Sequence, residues 1–207
     1  MNNEFSGMIL AAGFGKRMLP LTKSLPKPLI KVNDISLLDN AIDFLKKIGC
    51  KQIIINTHYQ YEKIHQAIEK RKDKEIINLI YEEDLLDTGG GVKNAIPYFN
   101  NNHIIIINCD VFWIDKNIND TKLLIKNYFK FCYPQLLLVD KKNAYGLKKK
   151  GDFYLSKGLV KRYKKEKIFY YYSGLQILNY NIFKSISDSK FSLNLVWDKL
   201  IKDEVLF

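Results

Sequence analysis

Cysteine, arginine and long apolar runs are scarce in this sequence, and each scarcity excludes a class of protein. The three cysteines, Cys50, Cys109 and Cys132, are scattered without the spacing of a metal site or a disulfide framework. No apolar run approaches the roughly 20 residues that a membrane span needs. The N-terminus also lacks the basic and then apolar pattern of a signal peptide. These absences predict a cytoplasmic protein with reduced thiols and no membrane partner.

Arginine is scarce although the chain is strongly basic. The formal net charge is +11, yet arginine occurs only at Arg17, Arg71 and Arg162, and the lysines are spread along the whole chain. Proteins that read nucleic-acid bases rely on arginine forks, which are nearly absent here. We therefore disfavour a nucleic-acid partner and expect a solvated basic surface that attracts anionic substrates.

The size and periodicity of the chain indicate one α/β domain. The sequence has 207 residues, of which 47% are apolar and 27% charged, as in an ordinary globular protein. Short apolar runs alternate with segments of helical periodicity, which is typical of a mainly parallel sheet covered by helices. There is no repeat, linker or low-complexity spacer, so residues 1–207 are predicted to form a single domain.

The individual elements can be placed along the chain from the same periodicities. Strands are predicted at residues 7–12, 51–57, 76–81, 104–107, 136–140 and 169–178. Helices are predicted at residues 37–48, 59–71, 121–131 and 193–203. A hairpin-like region is predicted at residues 148–161. For the first helix, Asp34 or Ser36 is the candidate N-cap and Gly49 the C-terminal stop.

Two glycines follow the first predicted strand, within residues 10–29. Gly13 and Gly15 remove side chains where backbone N–H groups fan out, and such groups form a concave anion site. Arg17 can fork onto phosphate oxygens. Neither a dinucleotide fingerprint nor a P-loop fits, because Met18 stands where a third glycine is needed and Arg17 where Ser or Thr is needed. The glycines and the arginine predict a polyphosphate site of another kind.

Lys27 and the segment from Asp87 to Gly91 extend this predicted site. Pro26 and Pro28 restrict the backbone on either side of Lys27, so that positioning its ammonium group costs little further conformational entropy. The three glycines that follow Thr88 open a predicted helix and would let another molecule lie directly on the backbone. A flexible turn is the alternative interpretation of the glycines.

Asp110 is the candidate metal ligand. It closely follows the β-branched run at residues 104–107, which predicts a central strand buried on both faces. Ligands of open α/β sheets bind at the carboxyl ends of the strands, where a metal carboxylate is expected. The alternative interpretation of Asp110 is a turn residue or a helix cap.

These segments together resemble the signature of the sugar-1-phosphate nucleotidyltransferases, over essentially the whole chain. LAAGFGKRM with PKPL is similar to the nucleotide-binding loop of that family, and DTGGGVKNAIP to the segment that receives the nucleobase and ribose. NCDVFW is similar to its metal-binding segment, and YSGLQIL to the strand that lines the sugar pocket. The resemblance implies the nucleotide-diphospho-sugar transferase fold, a Rossmann-like three-layer α/β sandwich with a mixed, mainly parallel sheet.

The resemblance also implies a reaction, in which an NTP and a sugar 1-phosphate give an NDP-sugar and pyrophosphate. It gives catalytic roles to Lys27 as the bridge between the reacting phosphates, to Arg17 at the departing pyrophosphate, and to Asp110 as the ligand of Mg²⁺. The implied nucleotide-binding residues are Leu10, Ala11, Ala12, Gly13, Gly15, Arg17, Lys27, Thr88, Gly89 and Gly90. The implied sugar-binding residues are Gly146, Glu166, Lys167 and Gly174.

Within the family, the sequence looks most similar to the N-acetylmuramate-1-phosphate uridylyltransferases of peptidoglycan recycling, and mannose-1-phosphate guanylyltransferases are the nearest alternative. We expect a monomer or a homodimer. Family members usually continue into a strand with a second metal aspartate, a segment absent before Phe207. Without that strand, part of the sheet should be exposed to solvent, including the apolar residues Leu195, Val196 and Leu206. The alternative function is not enzymatic: the protein would be a non-catalytic module that binds nucleotide sugars.

Overall fold

An eight-stranded sheet dominates the computed structural model, which describes residues 4–144 and 150–207. The strands in chain order are β1 (Ser6–Leu10), β2 (Lys31–Val32), β3 (Ile35–Ser36), β4 (Ile53–Thr57), β5 (Ile77–Tyr81), β6 (His103–Asn108), β7 (Gln135–Asp140), β8 (Phe153–Ser156), β9 (Leu159–Arg162) and β10 (Tyr170–Asn179). The α-helices are α1 (Leu37–Lys47), α2 (Tyr61–Glu69), α3 (Asp87–Ala95), α4 (Asp115–Phe131) and α5 (Leu193–Lys202). No helix in these two ranges is long and apolar enough to cross a membrane.

Four parallel strands, β5, β4, β1 and β6, lie side by side in the sheet, and antiparallel strands extend it beyond β6. The order is β5-β4-β1-β6-β10-β8-β9, with β7 paired to β10, while β2 and β3 form a separate ribbon. The register pairs Leu10 of β1 with Asn56 of β4 and with Asn108 of β6. The carboxyl ends of these three parallel strands therefore meet at one edge, where α/β sheets bind ligands. The predicted mixed α/β sheet is confirmed.

Helices cover both faces of the sheet and complete the predicted three-layer sandwich. Residues of α1, α2 and α4 belong to one apolar cluster, and residues of α3 and α5 to the other. Strand β6 contributes to both, with Ile105 and Ile107 in the first cluster and Ile104 and Ile106 in the second. Successive strand residues point to opposite faces, and each fully buried isoleucine stabilises the fold by about 1.5–3 kcal/mol. The strand that leads to Asp110 is thus firmly held on both sides.

Two helix starts show how side chains set the ends of the elements. Ser36, and not Asp34, caps α1, because Ser36 Oγ accepts a hydrogen bond from the backbone N–H of Asp39 at 2.9 Å. Helix α4 begins at Asp115, well before the predicted start at residue 121. The Asn117 side chain accepts a hydrogen bond from the backbone N–H of Ile114 at 3.0 Å and caps this extra turn. Apolar periodicity missed the turn because its residues are mostly polar and exposed.

The expectation that apolar residues in and after α5 are uncovered is wrong for two of the three residues. Val196 is 2% exposed and Leu206 is 1% exposed, whereas Leu195 is 47% exposed. Residues 205–207 run between β7 and β9 and make strand-like hydrogen bonds to both. The backbone N–H of Val160 in β9 donates to the carbonyl of Leu206 at 2.9 Å, and that of Leu136 in β7 donates to the carbonyl of Phe207 at 2.8 Å. These bonds hold Leu206 inside the second apolar cluster.

Candidate active site

A cavity of about 600 Å³ lies at the carboxyl ends of β1, β4 and β6. It brings together nine of the predicted site residues: Leu10, Ala11, Ala12, Gly13, Gly15, Arg17, Lys27, Thr88 and Asp110. The loop that follows β1 supplies most of this wall, and the loop after β6 supplies Asp110. The sheet thus joins segments that are far apart in the sequence, because parallel strands end at a common edge.

The two glycines of the loop after β1 have different structural roles. An ideal Cβ on Gly13 would have no heavy atom within 4 Å, so this position leaves open space in the cavity wall. Gly15 has φ +65°, and an ideal Cβ there would lie 2.8 Å from Thr22 Cγ2 and 3.1 Å from Lys27 Cβ. Gly13 therefore leaves its backbone open to the cavity, whereas Gly15 allows a left-handed turn that packs closely against the Lys27 segment.

Contacts with α2 and with Tyr59, which precedes it, hold the connection between Gly15 and Lys27 in place. Thr22 Oγ1 donates a hydrogen bond to the Gly15 carbonyl at 3.0 Å, and Tyr59 Oη donates to the Thr22 carbonyl at 3.1 Å. Lys63 Nζ also donates to the carbonyl of Ser24. The connection is therefore tied at several points to the rest of the fold, which limits the freedom of the cationic loop.

Lys27 and Asp110 contact each other at the cavity wall, with 2.5 Å between Lys27 Nζ and Asp110 Oδ2. The Lys27 side chain is 23% exposed and the Asp110 side chain 38%, so both groups remain accessible to a ligand. Lys27 begins a short 3₁₀ turn, and Pro26 is its N-cap. Arg17 also lines the cavity, and it has no hydrogen bond or ion pair with any other residue that the structure describes. Its guanidinium group is available for an anionic ligand.

Asn40 fixes the loop that carries Asp110, a role that no pattern in the sequence indicates. Asn40 Oδ1 accepts a hydrogen bond from the backbone N–H of Trp113 at 2.6 Å, and Asn40 Nδ2 donates to the Trp113 carbonyl at 2.9 Å. The Trp113 ring stacks on Phe44 at 4.5 Å between centroids. The backbone N–H of Cys109 donates to the Leu10 carbonyl at 3.2 Å. The loop is therefore attached to α1 on one side and to β1 on the other.

A buried polar network supports the start of the loop after β1. Asn56 Oδ1 accepts a hydrogen bond from the backbone N–H of Ala11 at 2.9 Å, and Asn56 Nδ2 donates to Glu82 Oε1 at 2.7 Å. Glu82 is 2% exposed, and its second oxygen accepts from the backbone N–H of Leu86 at 3.2 Å. Sequence reasoning missed both Asn56 and Glu82. The available signal was Asn56 near the end of an apolar strand, as Asp110 is near the end of β6.

The glycine triplet in α3 accommodates the chain itself. An ideal Cβ would come within 2.4 Å of Phe191 Cε2 at Gly89, 2.3 Å of the Ser189 carbonyl oxygen at Gly90, and 2.6 Å of Asn56 Nδ2 at Gly91. All three glycines are buried within the helix, so the flexible-turn interpretation is wrong. Gly89 and Gly90 do not line the cavity, although the adjacent Asp87 and Thr88 do. A nucleoside contact of Gly89 and Gly90 stays a prediction.

The predicted sugar-side residues do not line the cavity in the part of the chain that the structure describes. Gly146 lies outside the described residues. Glu166 accepts a hydrogen bond from the backbone N–H of Lys164 at 2.6 Å, and Lys167 is exposed. Gly174 lies nearer, with φ +92° and an ideal Cβ 3.3 Å from Cβ of Asn108, which lines the cavity. Their roles toward a sugar remain predictions.

The donor set of the cavity suits a metal that phosphates help to bind. Within residues 4–144 and 150–207, no group of three or more His, Cys, Asp or Glu side chains could hold a metal ion. Mg²⁺ takes one or two carboxylates and completes its shell with phosphate oxygens and water, so Asp110 alone fits such an ion. Burial raises the pKa of the adjacent Cys109 thiol far above its ordinary value. That thiol therefore stays protonated and is no nucleophile.

Comparison with known proteins agrees with this geometry. The family model for nucleotidyl transferase matches residues 6–171. The N-acetylmuramate alpha-1-phosphate uridylyltransferase of Caulobacter vibrioides is 29% identical over 95% of this chain and 84% of its own length. The mannose-1-phosphate guanyltransferase of Pichia angusta is 36% identical over 51% of this chain and 30% of its own length. Among solved structures, HddC from Yersinia pseudotuberculosis complexed with GMP-PN shares the fold, with a TM-score of 0.76 and 24% identity over 92% of this chain and 84% of that chain.

Proposed function

The chain belongs to the nucleotidyl transferase family and is a sugar-1-phosphate nucleotidyltransferase, and we propose that UTP and N-acetylmuramate 1-phosphate are its substrates. The observation that carries the proposal is the convergence of Gly13, Arg17, Lys27 and Asp110 on one cavity. The choice of substrates is supported by the similarity to the Caulobacter uridylyltransferase, which extends over 95% of this chain.

The chemistry consists of alignment and charge neutralisation. An oxygen of the sugar phosphate attacks the α-phosphorus of the NTP in line, and the bond from the α-phosphorus to the β-phosphate oxygen breaks, so that pyrophosphate leaves. The attacking group is already an anion, so the reaction requires no general base. Two polyanions must nevertheless approach each other, which makes cations at fixed positions the main requirement of the site.

The residues around the cavity supply those cations. Lys27 would bridge the sugar phosphate and the α-phosphate, Arg17 would bind the departing pyrophosphate, and backbone N–H groups beside Gly13 would bind the triphosphate. Asp110 would hold Mg²⁺, which supplies further neutralisation of phosphate charge. The contact with Asp110 keeps the Lys27 ammonium group at the cavity wall, which reduces the reorganisation needed when phosphates bind.

The proposal is tested by measuring pyrophosphate release over a grid of four NTPs and several sugar 1-phosphates. We expect the highest kcat/KM for UTP with N-acetylmuramate 1-phosphate. If GTP and mannose 1-phosphate give the highest turnover, the proposed substrates are wrong and the reaction class still stands. Binding of nucleotide sugars without turnover of any pair would support the non-catalytic module instead.

A Lys27→Ala variant separates catalysis from adventitious hydrolysis in the same assay. Lys31→Ala is a matched control, because Lys31 is an exposed lysine on β2 that does not line the cavity. We expect pyrophosphate release to fall sharply with Lys27→Ala and to persist with Lys31→Ala. Equal activity in both variants would mean that the cavity is not the site of the reaction.

A further inference from the structure

The ion pair between Lys27 and Asp110 occupies groups that the proposed reaction needs for other partners. Lys27 Nζ lies 2.5 Å from Asp110 Oδ2. In the proposed reaction the ammonium group binds phosphates and the carboxylate binds a divalent cation. A divalent cation at this carboxylate would lie within a few ångströms of the ammonium group, and like charges at that distance repel each other. The ion pair therefore has to separate when the substrates and the metal bind.

The folded chain offers neither side chain another partner. Within residues 4–144 and 150–207, Lys27 and Asp110 form no side-chain hydrogen bond or ion pair other than the one between them. An ammonium group that left Asp110 would thus exchange a carboxylate for water alone. A bound phosphate changes this balance, because it gives the ammonium group a new charged acceptor.

The backbone on both sides of the ion pair is held in place. The backbone N–H of Ile30 donates to the Lys27 carbonyl at 3.1 Å, and that of Cys109 donates to the Leu10 carbonyl at 3.2 Å. The lysine side chain, in contrast, is a flexible four-carbon stem that can swing between acceptors. The ion pair can therefore open by rotation of the Lys27 side chain, without movement of either loop.

The charges around the cavity disfavour a divalent cation until phosphates are present. Among the described residues, four cations and three carboxylates line the cavity, which leaves one net positive charge: Lys16, Arg17, Lys27, Lys190, Glu82, Asp87 and Asp110. A triphosphate brings several negative charges and reverses the sign of this balance. It also supplies the oxygen ligands that Mg²⁺ needs beyond a single carboxylate.

We propose that Lys27 blocks Asp110 from divalent cations in the nucleotide-free protein, and that phosphate groups unblock it by drawing the ammonium group away. This inference rests on the proposed function, in which Asp110 is the metal ligand. The nucleotide and the metal then bind with positive coupling. Because such coupling is reciprocal, each raises the affinity of the protein for the other by the same factor.

The first test titrates Mn²⁺ into the nucleotide-free protein and follows the electron paramagnetic resonance signal of free Mn²⁺. We expect Lys27→Met to bind Mn²⁺ at least about 10-fold more tightly than the wild type, the scale of repulsion between a single and a double charge a few ångströms apart in water. Lys27→Arg keeps the positive charge and should behave like the wild type. Adding Asp110→Asn to Lys27→Met should remove the gain.

Lys31→Met is the matched control, because it removes the same charge from an exposed lysine that does not line the cavity. It should leave the affinity for Mn²⁺ at the wild-type value. Circular dichroism spectra of all variants show whether each is folded.

The second test measures the affinity for UTP by calorimetry with and without Mg²⁺, in the absence of a sugar phosphate so that no turnover occurs. We expect Mg²⁺ to raise the affinity for UTP by a larger factor in the wild type than in Lys27→Met. Binding of Mg²⁺ to UTP in solution is common to both titrations, so the difference between the two proteins reports the site itself.

The outcomes separate this inference from the proposed function. If Lys27→Met gains no affinity for Mn²⁺ while Asp110→Asn abolishes Mg²⁺-dependent pyrophosphate release, the inference is wrong and the proposed function stands. Equally tight binding of Mn²⁺ by the nucleotide-free wild type and by Lys27→Met also overturns it. If Asp110→Asn changes neither metal binding nor turnover, Asp110 is not the metal ligand, and the inference falls together with that part of the proposed function.

Discussion

Replacing Gly15 by alanine should weaken the fold and the reaction together. The residue has φ +65°, and its ideal Cβ would lie 2.8 Å from Thr22 Cγ2 and 3.1 Å from Lys27 Cβ. A side chain in the left-handed region costs about 1–2 kcal/mol, before any neighbour has moved. We expect Gly15→Ala to lower the free energy of unfolding by at least this amount. It should also lower kcat, because relief of the contact displaces Lys27.

Replacing Gly13 by alanine should have the opposite effect on stability. No heavy atom lies within 4 Å of its ideal Cβ, and its φ lies outside the left-handed region. Alanine at a compatible glycine position typically raises the free energy of unfolding by about 0.4–1 kcal/mol, because the unfolded chain loses freedom. The added methyl group would occupy space through which a triphosphate reaches the backbone. Loss of one hydrogen bond to phosphate should raise the KM for the NTP about 10- to 100-fold.

Urea denaturation and steady-state pyrophosphate release on both variants measure these effects. Gly158→Ala is the matched control for conformation, because Gly158 has φ +84° and an ideal Cβ there has nothing within 4 Å. Gly158→Ala should lower the free energy of unfolding by the cost of the left-handed conformation alone, without a steric clash and without loss of activity. The reasoning fails for Gly15 if its variant is no less stable than Gly158→Ala and retains kcat. It fails for Gly13 if the KM for the NTP is unchanged.

Four further predictions concern charged and polar side chains. Lys27→Ala should lower kcat far more than it raises the KM for the NTP, with a loss of about 2.7–4 kcal/mol of transition-state stabilisation. Asp110→Asn should abolish Mg²⁺-dependent turnover and leave the circular dichroism spectrum unchanged. Asn40→Ala should raise the Mg²⁺ concentration for half-maximal turnover about 10- to 100-fold while kcat at saturating Mg²⁺ persists. Hydrogen bonds from Arg71 hold the pKa of Asp73 below its ordinary value, so this stabilisation is complete above about pH 4 and is lost as the pH falls below it. Urea titrations should show a weaker loss of stability in acid for Arg71→Met than for the wild type.

Local patterns in the sequence were enough to predict the sheet and to select residues that meet at one cavity. The run Ile104–Ile107 identified a strand buried on both faces, and strand ends in an α/β sheet converge whatever their separation in sequence. That rule placed Asp110 beside the loop that follows β1. Lys27 could be assigned to the same site because its two prolines and the glycine loop form one continuous segment.

Contacts between distant segments could not be predicted in this way. Asn40 and Trp113 are joined by two hydrogen bonds, and Asn56 and Glu82 by one, yet no periodicity marks any of these residues as a partner of another. The glycine triplet illustrates the limit best. A missing side chain shows that something approaches the backbone, but only the folded chain shows that Phe191, and not a ligand, lies against Gly89.

Strand β10 has a consequence for how the protein unfolds. Residues Leu175 to Asn179 pair with β6 of the parallel half. On the other side of β10, Tyr170 to Tyr172 and Gln176 to Ile177 pair with β7, and the register of this pairing shifts between Tyr172 and Gln176. Gly174, with φ +92°, lies at that shift. One continuous strand therefore carries hydrogen bonds of both halves of the sheet. We expect the loss of either half to expose the backbone of the other, so that denaturation proceeds as a single cooperative transition rather than in two steps.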